Sequence, residues 1–515
     1  MLYSQSASSP WSCIKRHADR LGGFTDYMSL DLRSLALFRM ALGLIIMVDV
    51  VRQWGDIGAF YTDAGVLPRA TTVQILVYYR WLWSVHGLHG SLLFQQTLFC
   101  GEFIAALGLL LGCRTRVMTF LCWILVTSHQ ARNPFILTGG DMLLRLLLFW
   151  SLFLPLASRF SLDLRAFPPS SRSHSFRSLG SVGFIVQACC LYGFAVWLKS
   201  DPAWHHCATA VAEALRYEPL ARPSATLLLR YPGLLALLTH LVILVETAAP
   251  LLLLAPVRSG SLRTLAALLC IGLHLGMGVF LDLGLFPSIC IVFWLGLLPA
   301  YFWEKWVFRL PERLTRAFSS SRNTAPMETN CGMARKHLLS PEDFCRLREV
   351  QILAGFFAVF IVLWNIYSTN RPLYTRVFPD SVKLIGFVAR IDQCWGMFSP
   401  RPPQDGGWIL PVGNRVDGMT ANLLNGKANV IWSKPANVNS YYPNQRWIMY
   451  AETMRQLRSP LLLRPLCRYL AASQKKDVFR HHGTSGSFRS VDLHYLETFG
   501  ATTIVHKDLL WKETL

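Results

Sequence analysis

About nine apolar segments run through residues 34–367, and every second loop between them is rich in lysine and arginine. A chain built this way hides its apolar surface by threading through a bilayer, where each crossing segment must be a helix that satisfies its own backbone. The segments are 34–53, 92–112, 117–128, 141–156, 180–198, 233–255, 264–281, 285–303 and 350–367. Most reach the roughly 17 to 25 residues that cross hydrocarbon. The stretch 117–128 is short, so it extends through the polar residues after it, kinks, or crosses only partway. The expected fold is an all-α polytopic membrane bundle of about nine transmembrane helices with a small C-terminal mixed α/β extramembrane domain.

The loops give the orientation. The N-terminal tail and the loops after the second, fourth, sixth and eighth segments hold 21 Lys and Arg, against 7 in the loops on the other face. Cytoplasmic loops carry such an excess. The chain is therefore expected in the cell (inner) membrane as a multi-pass protein, its N-terminus cytoplasmic and its C-terminal domain extracytoplasmic. A net charge of +20 could also suggest nucleic acid, but the basic residues crowd one membrane face and no nucleic-acid-binding motif is visible. The charge reads as topology and attraction to anionic lipid, with no nucleic-acid partner. No short apolar run with a small-residue cleavage site precedes the first segment, so that segment is expected to be the insertion signal itself.

Residues 1–33 form a cytoplasmic lead, 304–349 a basic cytoplasmic linker, 350–367 the last transmembrane helix and 368–515 the extracytoplasmic α/β domain. Val73 to Val85, with Tyr78, Tyr79, Trp81 and Trp83, reads as a helix lying in the membrane interface. Ser170 to Ser178 and Ser319 to Pro341 read as flexible linkers. In the outer domain, Trp408 to Val412 and Val430 to Trp432 alternate as short strands, and one or two helices are expected near Gln445 to Leu457. Thirteen cysteines include no C-x-x-C pair; Cys189, Cys190 and Cys270 read as small core residues, while Cys394 and Cys467 share a compartment that permits a disulfide.

An ionisable side chain inside a span costs about 2.5 to 3.5 kcal/mol on insertion scales, so each is a functional candidate. Arg39, Asp49, Glu102, Arg145, His240, Glu246 and His274 qualify, with pairing inside the bundle as the plain alternative. His240 and Glu246 sit about 240° apart around one helix and serve different neighbours. Lys199 ends its span on the face where basic residues are scarce. It is either a snorkelling, helix-capping lysine or a base held partly out of water. Tyr192, seven residues earlier, shares its helical face. The outer loop Ser128-His129-Gln130-Ala131-Arg132-Asn133-Pro134, continuing to Gly139-Gly140-Asp141, is a polar cluster at the depth of Lys199. It suits a polar head group or a proton relay, or else an ordinary turn capping the fourth span. His205-His206-Cys207 is set aside as a metal site, because adjacent helical side chains diverge by about 100° and no companion pair has ligand spacing.

Taken in order, Leu35-Ala36-Leu37-Phe38-Arg39, Tyr61-Thr62-Asp63-Ala64-Gly65-Val66-Leu67-Pro68, Arg132-Asn133-Pro134, Gly139-Gly140-Asp141, Lys199, Glu246 to Pro250, His274 and Gly284-Leu285-Phe286-Pro287 resemble the bacterial HTTM-domain proteins. That family is related to vitamin K-dependent gamma-carboxylase. The resemblance covers roughly 28–303, and Cys394-Trp395-Gly396-Met397-Phe398-Ser399-Pro400 is similar to an extension carried by many bacterial members. It implies a catalytic Lys199 that deprotonates reduced vitamin K (menaquinone-type) or a related quinone so that oxygen can add, with His274 and, at a looser match, His129 as further catalytic residues. Tyr192, Asn133, Asp141 and Glu246 are the expected substrate-binding residues. The chain departs from the carboxylase in having one lysine where the carboxylase has two, and a much smaller outer domain. The resemblance therefore implies a quinone-pocket membrane protein and an oxygenase rather than a protein carboxylase.

Two functions follow. One is a membrane enzyme binding a quinone or similar isoprenoid lipid, with Lys199 as base. The other is a non-catalytic membrane scaffold or envelope-assembly protein whose outer domain binds a protein partner.

Overall fold

The computed structural model describes residues 28–75, 82–165, 174–307, 340–369, 379–404, 406–426, 430–481, 488–498 and 505–515. Most of the N-terminal lead, the core of the aromatic stretch at 76–81 and most of the basic linker lie outside the described residues.

Helices occupy the predicted segments: α1 (Leu32–Gln53), α2 (Leu92–Leu111), α3 (Thr115–Arg132), α4 (Gly139–Ser151), α5 (Leu179–Leu198), α6 (Pro232–Leu253), α7 (Ser259–Phe280), α8 (Phe286–Leu297) and α9 (Arg348–Thr369). Six of them are long and apolar enough to cross a membrane, namely α1 with its continuation to Phe60, α2, α5, α6, α7 and α9. A seventh counts if α8 and the bent stretch Ala300–Val307, turned by 88°, form one broken span. Among the described residues, length and hydropathy therefore support a multi-pass membrane protein and qualify six or seven of the nine expected segments as full spans. The shortfall has a physical cause. α4 has 13 residues, a rise of about 20 Å against about 30 Å of hydrocarbon. α3 ends in the buried polar run Thr127 to Arg132, which faces protein rather than lipid.

Helix starts follow their caps. Asp31 accepts from the amides of Arg33 and Ser34 to open α1, and reciprocal capping boxes open α4 (Thr138 with Asp141) and α5 (Ser178 with Ser181). A two-stranded ladder, β1 (Leu30–Asp31) with β2 (Ser175–Phe176), ties the start of α1 to the approach to α5. α1 and α2 meet closely at Gly43, where a Cβ would lie 2.8 Å from the Ala106 carbonyl oxygen. Arg39, fully buried, donates to the carbonyls of Leu109, Leu110 and Phe160, so its role is the plain one of joining α1 to the end of α2. α5 packs on α6 and α9, and α7 packs between α6 and α8, which sets three of the chemistry-bearing helices side by side.

Beyond α9 comes α10 (Asp380–Val388), then a four-stranded antiparallel sheet in the order β4-β3-β5-β6, formed by β3 (Gly407–Arg415), β4 (Thr420–Asn422), β5 (Phe488–Thr498) and β6 (Val505–Thr514). α11 (Gln445–Leu457) and α12 (Pro460–His481) complete it. Val430 to Trp432 is not a strand; the Trp432 ring instead lies edge-on to His494, 5.0 Å between centroids. Cys467 is a free, buried thiol in α12, so it forms no disulfide with Cys394.

The C-terminal region does not hang from the bundle as a tethered domain. Its core is one hydrophobic cluster in which Trp408, Trp447, Tyr450 and Leu493 pack with Ile57 and Phe60 of the helical continuation of α1 and with Tyr61 and Leu67 just after it. Arg446 fastens the two parts, its Nη2 lying 3.0 Å from Asp49 of α1 and 2.9 Å from Asp141 of α4. Burial disfavours the Arg446 charge, but Asp141 and Asp49 outweigh it and raise the guanidinium well above its ordinary value. Asn444 and Trp447 both donate to Asp56, at 2.6 and 3.0 Å.

Arg446→Met leaves two buried carboxylates without their cation. The expected cost is about 3 to 5 kcal/mol, read as a lowered thermal midpoint in detergent. Adding Asp49→Asn and Asp141→Asn to Arg446→Met recovers most of it, whereas an unchanged midpoint in the single variant would show the clamp to be idle.

Candidate functional site

A cavity of about 660 Å³ opens between the bundle and the C-terminal region. Its walls are mostly apolar, including Leu191, Met277, Leu283 and Phe286 from the bundle and Phe387, Trp395, Met397 and Phe398 from the C-terminal segment. Into this lining project Tyr192 and Lys199 of one face of α5, Glu246 of α6 and His274 of α7.

Lys199 stands at the C-cap of α5 and is 4% exposed. Its ammonium donates to Glu246 Oε2 at 2.7 Å and lies 5.2 Å from the centroid of the Trp204 ring. Asp201 holds this corner by capping the short turn Pro202–His205, and the Trp204 indole donates to the Phe398 carbonyl, bringing the C-terminal segment against the lysine. His205 makes its contact through Nε2 to the Lys199 carbonyl. Among the described residues no group of three or more His, Cys, Asp or Glu is placed to hold a metal.

The second polar pair is Tyr192 with His274. Trp294 Nε1 donates to the Tyr192 hydroxyl at 2.7 Å, and that hydroxyl lies 2.8 Å from His274 Nε2. An indole can only donate, so the hydroxyl accepts there, and the direction of its bond to Nε2 is set by the His274 tautomer. In the neutral tautomer that accepts at Nε2 the hydrogen is on Nδ1, which has no hydrogen-bond partner among the described residues.

A third group comes partly from beyond the bundle. Arg145 of α4 donates to the carbonyls of Arg390 and Asp392 and pairs with the Asp392 carboxylate at 2.7 Å. Burial, with Arg145 adjoining, pushes the Arg390 guanidinium down to about 10, so it keeps its charge at neutral pH.

The other expected site residues are placed elsewhere. His129 is fully buried, with Nδ1 3.0 Å from Glu102 and its ring stacked on Phe99. It belongs to a polar chain running from Glu102 through His129 to Asp49, the last step being 4.0 Å. Asp141 is consumed by its capping box and by Arg446. Asn133 caps the turn Pro134–Ile136 and donates to the Phe60 carbonyl at 3.2 Å. None of these three lines the cavity. His240 is exposed on the surface of α6, on a different side from Glu246. Arg390 and Asp392 carry no sequence signal of their own and were reachable only through the extension motif that follows them.

A family model described as the HTTM domain matches residues 27–306, more than half of the chain. The chain belongs to the HTTM-domain family. No curated protein and no solved structure matches it. Tyr192, Lys199, Glu246 and His274 all lie within the HTTM domain, while the segment that closes the cavity, Phe387 to Phe398, lies after it. A polar cluster in an apolar, preformed cavity suits a mostly hydrophobic ligand with one or two polar groups.

Tyr192→Phe removes the hydroxyl shared by Trp294 and His274. Each buried group left unpaired costs about 1 to 3 kcal/mol, so thermal unfolding in detergent falls measurably. Trp294→Phe added to Tyr192→Phe costs less than Trp294→Phe alone; strict additivity would mean that the two side chains do not act through that hydrogen bond.

Proposed function

We propose that this HTTM-domain protein binds a quinone or similar isoprenoid lipid in the cavity and starts its oxygenation from the Lys199–Glu246 pair, with Lys199 as the base. The supporting observation is the meeting, in one largely apolar cavity, of that pair with the Tyr192–His274 pair. The resemblance to vitamin K-dependent gamma-carboxylase at Lys199 and His274 points the same way.

An ammonium has no lone pair. Lys199 therefore acts as a base once its own proton has passed to Glu246, and the pair as a whole takes up one proton from a hydroquinone hydroxyl. The hydroquinone anion would then lie against a cation, and dioxygen is the oxidant. His274 Nδ1 supplies a hydrogen bond for a second ligand oxygen.

A second reading, the non-catalytic scaffold, has one observation in its favour. β6 pairs with β5 on one side and presents Leu509 at 51% exposure, an edge that a protein partner can extend. Removal of residues 371–515 does not separate the two readings, because it also strips Arg390, Trp395 and Gln445 from the cavity wall.

The test is oxygen-dependent epoxidation of reduced vitamin K by purified protein in detergent. Lys199→Ala is expected to lower turnover by about 10² to 10⁴, the range for removing a positioned acid or base, with its thermal midpoint showing that it folds. Equal turnover in wild type and variant removes Lys199 from the chemistry. No turnover with any of several quinones, in a folded sample, moves the weight to the scaffold.

A further inference from the structure

Charge pairing in the cavity wall is incomplete. The charged side chains lining it are Arg145, Lys199, Glu246, Arg390 and Asp392. Lys199 is matched by Glu246 and Arg145 by Asp392, each at 2.7 Å. Arg390 is the remainder. It is 2% exposed, and its Nε and Nη1 have no hydrogen-bond partner among the described residues. Asp392 Oδ1 lies 3.8 Å from Arg390 Nε, beyond hydrogen-bonding reach, and is itself unpartnered. The backbone at Arg390 is left-handed, φ 55°, a conformation that bulky residues adopt only when the surroundings impose it. Arg145 fixes it there by donating to the Arg390 carbonyl at 3.2 Å.

Arg390 thus shares its carboxylate, Asp392, with Arg145 and makes no hydrogen bond to it from Nε or Nη1; a buried guanidinium in excess over its carboxylates is costly, and proteins satisfy such a charge with an anion. The planar fork of arginine matches a carboxylate or a phosphate, which it can grip through two parallel N–H bonds. A neutral quinone offers no such group. We infer that Arg390, with Arg145 beside it, forms an oxyanion subsite that takes the carboxylate or phosphate of a ligand whose apolar body fills the rest of the cavity. The subsite stands on the cavity and its unmatched charge, and it does not depend on Lys199 chemistry.

Three probes with the same chain test it on the full-length protein in uncharged detergent: dodecanoate, monododecyl phosphate and dodecanol, each below its critical micelle concentration. Binding is followed by the shift in thermal midpoint and by tryptophan fluorescence, since Trp395 lines the cavity. At least one of the two anions is expected to bind about tenfold or more tighter than dodecanol, the advantage of a hydrogen bond to a charged group. Which anion is the tighter tells a carboxylate ligand from a phosphate one. Arg390→Gln abolishes that preference and leaves dodecanol binding as it was, while Arg390→Lys keeps part of it. Lys199→Gln leaves the preference in place. Equal binding of all three probes by the wild type overturns the inference without any variant, and so does a preference that survives Arg390→Gln or vanishes with Lys199→Gln. The epoxidation assay reads Lys199 separately, so failure there and failure here are distinguishable.

Discussion

A single arginine, Arg446, joins the C-terminal region to two helices of the bundle beside the cavity. Asp49 on α1 and Asp141 on α4 are both nearly buried, and among the described residues their shared cation is Arg446 of the C-terminal region. Arg446 comes from α11, nearly four hundred residues after Asp49, and its Nη2 serves both carboxylates. Two buried carboxylates facing each other would repel; one guanidinium between them turns the repulsion into attraction. The neighbours of Arg446 then fall into place. Gln445 reaches the left-handed Gly284, where any Cβ would lie 2.1 Å from the Gln445 side-chain oxygen, and both Gln445 and Met449 line the cavity.

The cavity is consequently a joint product of the HTTM domain and the chain beyond it. The HTTM domain contributes the polar side chains on α5, α6 and α7, and the later segment contributes much of the apolar cover. This division explains why the C-terminal region has no separate core. Its tryptophans and leucines share one cluster with Ile57, Phe60 and Tyr61, so it folds against the bundle and closes the site as it does so.

Much of the candidate site was legible because buried charge in a span is expensive and rare. Glu246 and His274 stood out for that reason, and Tyr192 joined Lys199 through helical periodicity. His129, Asn133 and Asp141 show where such reasoning ends. The sequence puts them at the expected membrane depth of Lys199, but depth is one coordinate, and the position of each helix around the bundle is not written in local sequence. α3 turns its polar end toward Phe99 and Glu102 rather than toward α5. The same limit applies to α4, whose apolar run promised a full crossing. Eleven of its residues are buried, so its apolarity reflects packing against protein on nearly all sides. In the C-terminal region Trp408 to Val412 is read as a strand and lies in β3, although its residues are buried on both faces rather than in alternation, whereas β5 and β6 pass through bulges, and Val430 to Trp432 alternates without pairing.

The Lys199–Glu246 ion pair also bears on what chemistry the cavity tolerates. Creating a new charge in an apolar enclosure is prohibitive, because little water remains to solvate it. In the proposed step, net proton transfer from a ligand hydroxyl through Lys199 to Glu246 would create none. The carboxylate becomes neutral as the ligand oxygen becomes negative, and Lys199, 2.7 Å from the carboxylate, can be the counter-ion before and after. The negative charge moves a few ångströms past a fixed cation. An isolated lysine at this position would instead be required to enter the cavity neutral and leave the step charged, with the whole desolvation cost falling on the reaction. A preformed pair has met that cost during folding, so the proposed base would never stand as an unmatched charge at that point.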